Sequence, residues 1–155
     1  MTTNSKTAIP DLTKRPPRSP RCRLGGYVIL PRLLDKGRAD AAGTAGEFKY
    51  NAPLDQHIIN FLGLDLSALR DELATGKGDG EILTWLTENA RNKHTAWEIE
   101  QWSEFMLRRG PDSDAETLGF FVERLGEFGA KTREDIRTWF DLVDLDDHVT
   151  FGGKA

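Results

Sequence analysis

The sequence predicts an all-α fold, a compact bundle of about six to seven short helices with an extended N-terminal strap and at most a very short strand or hairpin. Three observations carry this. Apolar residues recur every three or four positions in successive short segments, the spacing of one helical face. Nearly every such segment is bracketed by a capping residue or capping box in front and a glycine behind. Four Trp and eight Phe, most of them within those segments, supply large core side chains. A chain of 155 residues fits one domain with a genuine core.

Residues 1–24 read as an extended basic strap, and residues 25–155 as a single helical domain. Pro10, Pro16, Pro17 and Pro20 forbid a continuous helix in the strap and push the residues before them towards extended conformations. Gly25-Gly26 breaks it. Tyr27 to Ala42 then reads as the first helix, with Pro31 tolerated near its start and Leu30, Leu33, Leu34 and Ala41 as its apolar side. Gly37 weakens that helix by about 1 kcal/mol relative to alanine. Glu47 to Tyr50 alternates enough for a short strand or an extended link. Asn51 caps the second helix, Pro53 sits in its first turn, and Leu54, Ile58, Phe61 and Leu62 share one face until Gly63. Asp65 caps Leu66 to Thr75. After the loop Gly76 to Gly80, Asp79 caps a helix carrying Ile82, Leu83, Leu86 and Ala90. Thr95 and Glu98 form a capping box for a helix to about Arg109, and Ser113 and Glu116 form a second for Leu118, Phe121, Val122 and Leu125. Thr132 caps the last helix, with Ile136, Trp139, Phe140 and Val143.

Charge is unevenly placed. Residues 1–40 hold nine Lys/Arg against three Asp, while the rest hold twelve Lys/Arg against 22 Asp/Glu, for a net charge of −4. That balance argues against nucleic acid as a partner and for a strap whose arginines neutralise the body. Asp141, Asp144, Asp146 and Asp147 crowd one helix end, where negative charge is disfavoured, and Arg18 and Arg21 are their expected partners. These aspartates and His148 have neither the calcium-loop nor the zinc spacing, so no metal is assigned. No dinucleotide fingerprint or phosphate loop occurs, and no cofactor is expected. The longest apolar run, Tyr27 to Pro31, is far too short to span a membrane. A single cysteine, Cys22, fits a reducing compartment, and no secretory signal is apparent, which together point to a soluble cytoplasmic protein.

Chemically usable side chains concentrate in Gly46 to Phe61. Tyr50, Asn51, Asp55 and His57 gather at one turn, and Arg32 is available for an anion. They define a candidate ligand-binding pocket for a small or anionic molecule, with His57 as acid, base or ligand. The plainer alternative makes Asn51 a cap, Asp55 a dipole partner and His57 a half-buried histidine. Asp55 and His57 lie two apart on a helix and do not form a simple dyad. The leading expectation is a small ligand-binding or regulatory module. The alternatives are a small enzyme with a His-based acid/base site, for which His57 or the loop residue His94 would serve, and a protein-interaction or scaffold role. The oligomeric state stays open.

Several motifs act together as a signature: PDLTKRPPRSPR from Pro10, LGGYVILPRLLDK from Leu24, GEFKYNAPLDQ from Gly46, GDGEIL from Gly78, and TWFDLVDLDD with FGGKA at the end. On these the chain resembles the domain of unknown function 5069 family over nearly its whole length. The resemblance implies a compact, stand-alone bacterial protein and brings no activity and no catalytic residue.

Overall fold

The computed structural model describes residues 7–155, so the first six residues of the expected strap lie outside it. Among the described residues there are seven helices and one two-stranded hairpin: β1 Arg23–Leu24, β2 Tyr27–Val28, α1 Leu30–Ala42, α2 Asp55–Leu62, α3 Leu66–Ala74, α4 Asp79–Asn89, α5 Ala96–Arg108, α6 Ala115–Glu127 and α7 Trp139–Thr150. The fold is mostly helical, as the periodicity predicts, and no described helix is long and apolar enough to cross a membrane.

Helix α1 is the axis of the molecule. Its apolar side enters a core built from Val28, Leu33, Leu34, Ile58, Leu69 and Phe140, all fully buried. Gly37 is explained by close approach: a Cβ there would lie 2.5 Å from Leu73 and 3.1 Å from the Tyr50 ring. A second, smaller core joins α6 and α7 through Phe121, Leu125, Leu142 and Leu145, with Trp139 and Phe128 against it.

Helix α1 starts three residues later than expected, at Leu30, because the Gly-Gly pair does more than break the strap. Gly25 and Gly26 both have positive φ, 60° and 86°, and form the two-residue turn of an antiparallel hairpin in which Arg23 faces Val28. Ser103 of α5 fixes that hairpin: its hydroxyl donates to the Gly26 carbonyl at 2.6 Å and accepts from the Val28 N–H at 3.2 Å. Ile29, fully buried and β-branched, then holds φ 72°, a strained turn secured by its N–H on the Pro20 carbonyl at 2.9 Å.

Four further helix starts differ from the sequence reading. Asn51, with φ 83°, does not cap α2, whose N-cap position is Leu54. Gly78 rather than Asp79 precedes α4, leaving the Asp79 carboxylate free for arginines. Asp114, not Ser113, caps α6 by accepting from the Thr117 N–H at 2.8 Å. The last helix begins at Trp139 with Thr138 as its cap, so Ile136 lies before it. At α6 and α7 a neighbouring Asp or Thr caps instead, at α2 the positive φ of Asn51 takes it out of the cap position, and at α4 Gly78 occupies that position with Glu81 reaching back to its N–H at 3.3 Å. Glu47 to Tyr50 forms no strand.

Residues 7–22 contain neither helix nor strand; Arg18 and Arg21 lie on acidic groups, but of the two only Arg21 meets the expected aspartates of the last helix. Arg18 reaches Asp35 at 3.0 Å and Asp79 at 2.7 Å. Arg21 meets Asp141, and Asp144 at 3.0 Å. Arg23 spans Glu100 at 2.8 Å and Glu104 at 2.7 Å.

Candidate functional site

A cavity of about 610 Å³ opens where α1, the loop before α2, and the α6–α7 pair meet. Its charged side is made by Arg32 and Lys36 of α1, Lys49, Arg109 at the end of α5, and Arg124 of α6, with Glu47 and Asp146 at its margin. Its apolar side is made by Phe48, Phe120, Phe128, Trp139, Leu142 and Val143. His57 and the turn Ala52–Leu54 close it.

Guanidinium and ring faces alternate along the wall. Arg32 lies 5.6 Å from the Phe48 ring centre, Arg109 5.9 Å from Trp139, and Arg124 5.0 Å from Phe128. These are all the cation–π pairs among the described residues, and all line this cavity. A ring face prefers a cation, and a cation so placed stays available to an anion on its other side. Arg32 is held by Asp147 at 2.7 and 3.2 Å, and Arg124 by Glu127 at 2.8 Å. Arg109 and Lys49 make no ion pair among the described residues, and Glu47 at the margin makes none either, so the cavity offers a ligand two cations and one carboxylate that no side chain of opposite charge holds.

The titrating groups report the same field. Burial lowers the His57 imidazole below its ordinary 6.5, and the Arg109 charge adds to this, so the ring is neutral at neutral pH. Burial pushes the Lys36 ammonium down from its ordinary value, Arg32 adding to the effect and Asp55 opposing it. Burial raises the Asp147 carboxyl against the pull of Arg32.

The five residues singled out in the sequence separate into two sets. Arg32 and His57 both line the cavity. Asp55 stands behind the wall, fully buried, and its carboxylate accepts from Lys36 and from the Ala52 N–H at 2.9 Å. Tyr50 does not line the cavity; its hydroxyl donates to the Leu66 carbonyl at 3.0 Å, and burial raises its phenol. Asn51 is exposed, with its side-chain oxygen accepting from Gln56. The other expected histidine, His94, is no exposed loop residue: its ring stacks on Phe61 at 3.7 Å between centres and Nε2 bonds the Phe61 carbonyl at 2.6 Å. Sequence reasoning missed Lys36, Arg109, Arg124 and the aromatic wall. The one signal within reach was the spacing of Arg32 and Lys36, four apart and therefore on one face of α1.

A second cleft, of about 570 Å³, lies beside Asp144, Asp147 and His148. Its carboxylates are already held by Arg21, Ser19 and Arg32, which leaves little for a ligand.

The molecule is thus a mostly helical single chain with one cavity that joins buried cations to aromatic faces. It belongs to the family described as a domain of unknown function, DUF5069, whose profile matches residues 14–149. That span takes in both strands and every helix to within a residue of the end of α7. No curated protein matches the chain.

Proposed function

We propose that the protein is a small-molecule binding module whose cavity takes an organic anion with a flat apolar body. The observation that carries this reading is the alternation of Arg32, Arg109 and Arg124 with Phe48, Trp139 and Phe128 around one space of about 610 Å³. That size suits a ligand of metabolite dimensions, and a few convergent charges among apolar walls are the usual composition of such sites. The rings accept the ligand body, and Arg109, without an ion-pair partner among the described residues, accepts its carboxylate or phosphate. The exposed Cys22 thiol supports a reducing compartment, and we place the protein in the cytoplasm.

Phenyllactate and indole-3-acetate are suitable probes. Calorimetric titration should detect binding, and Arg109→Ala should weaken it about tenfold or more, the value of one hydrogen bond to a charged group. Trp139→Phe should weaken it less. Absence of binding by every aryl carboxylate and aryl phosphate tried, or affinity unchanged by both substitutions, would overturn the reading.

A further inference from the structure

We propose that Lys36 is a reactive amine that captures the carbonyl group of an organic anion bound in this cavity, forming an imine. The inference rests on the cavity being a binding site and adds a covalent step to it.

Lys36 is 3 % exposed, the one buried lysine among the described residues, and it lines the cavity. A lysine becomes nucleophilic when it is desolvated and sits beside another cation, and Arg32 lies one turn before it on the same helix. Its partner Asp55 is 0 % exposed and incompletely used. Asp55 Oδ2 accepts both from Lys36 and from the Ala52 N–H, whereas Oδ1 is buried without any partner. A buried, unpaired carboxylate oxygen is costly, and a carboxylate with room for a proton is what an amine beside it needs in order to react. The choice of residue points the same way. The other two buried cations of α1, Arg32 and Arg38, hold their aspartates with guanidinium groups, which suit a permanent ion pair. Of the two that line the cavity, Arg32 and Lys36, only the lysine carries a proton it can give up.

The step balances within the site. The Lys36 ammonium passes one proton to Asp55, and the freed lone pair bonds to the carbonyl carbon while the C–O π pair moves to oxygen. A second nitrogen proton passes to that oxygen. Asp55 returns its proton, the oxygen leaves as water, and the nitrogen lone pair closes a C=N bond. The product iminium carries one positive charge, as the ammonium did, and stays opposite Asp55. The substrates that fit are 2-oxo acids and aldehydes with a flat apolar body and an anionic end.

Phenylpyruvate, equimolar with the full chain and trapped by cyanoborohydride, tests this through intact mass and peptide mapping. The expected result is a single reduced adduct on Lys36, lost in Lys36→Arg, which keeps the charge opposite Asp55. Adducts confined to exposed lysines such as Lys93 and Lys131, or no adduct at all, would overturn the proposal. If Lys36→Arg does not fold, the mapped position in the native chain decides alone. Phenyllactate, which lacks the ketone, separates the two readings. Binding of phenyllactate without trapping of phenylpyruvate removes the imine and leaves the binding site, whereas binding of neither removes both.

Discussion

Helix α1 carries charge on two faces, and the two are held differently. On the cavity face Arg32 and Lys36 each meet one carboxylate, Asp147 and Asp55, with side chains between 0 and 9 % exposed. On the other face Asp35 and Arg38 share a network with Arg18 and Asp79, of which Arg18 is 39 % and Asp79 28 % exposed. The charges of the first face are buried, and each has a single opposite charge to balance it. The second is partly wet, and four groups back one another. A buried charge that loses its partner keeps its full desolvation cost, while a charge within reach of water or of a second partner does not. The first face is therefore where the chain has least tolerance and where chemistry is available, since desolvation is what makes an amine reactive.

Asp55→Ala is the strongest way to break this contrast. It strands Lys36 in the core and should destabilise by about 3–5 kcal/mol, read as a lowered urea midpoint. The double variant Asp55→Leu with Lys36→Met, which removes both charges, should recover much of the loss. A midpoint unaffected by Asp55→Ala would mean that the cavity face is wetter than the structure has it. Asp79→Ala should cost less, about 1.5–3 kcal/mol for hydrogen bonds to charged groups. Arg18 keeps Asp35 and Arg38 keeps the Lys77 carbonyl after the change.

Acid sharpens the comparison, because the two faces titrate in opposite directions. Burial alone would raise Asp79, but hydrogen bonds from Arg18 and Arg38 bring its carboxyl below the ordinary 3.8. Its contribution is complete above 3.8 and is lost as the pH falls through its folded value. Burial raises Asp147 above 3.8, outweighing Arg32, with Asp146 and Asp144 helping. The native state then keeps that proton to higher pH than the unfolded chain, so Asp147 costs stability as the pH rises through 3.8 to its folded value. Carboxyl NMR titration should place the Asp79 midpoint below 3.8 and the Asp147 midpoint above it. Asp79→Asn should flatten the acid limb of the stability curve.

How much of this was legible beforehand follows from the range of the forces involved. Helix number and the main stripes were readable because Leu33, Leu34, Leu69 and Phe121 repeat at a local period, and Thr95 and Asp65 cap within three residues. The hairpin was not, since Gly25-Gly26 signals a turn but only Ser103, 77 positions on from Gly26, makes that turn part of a sheet. The cavity was half legible. Arg32 and His57 stood out by chemistry, yet Arg109, Arg124 and Trp139 join them only through the packing of α6 and α7 on α1. Lys36 was not singled out, because burial of a lysine is decided by a partner, here Asp55, 19 positions away.

The strap gives the smallest expected effect and the finest test. Reversing Arg18 and Arg21 together should destabilise the fold, but the two contribute unequally. Arg18 is inserted between Asp35 and Asp79 beside the buried Arg38, so Arg18→Glu sets a negative charge against two carboxylates. Arg21 is 40 % exposed and pairs with Asp141 and Asp144 at the surface, where water and salt screen the attraction. Arg21→Ala should therefore cost only about 0–1 kcal/mol, and that should vanish near 1 M salt. Arg18→Ala should keep most of its effect there, because its partners are less exposed. Equal salt dependence of the two would mean that the network of Arg18, Asp35, Arg38 and Asp79 is screened as fully as the surface pairs of Arg21 and that mutual support adds nothing to it.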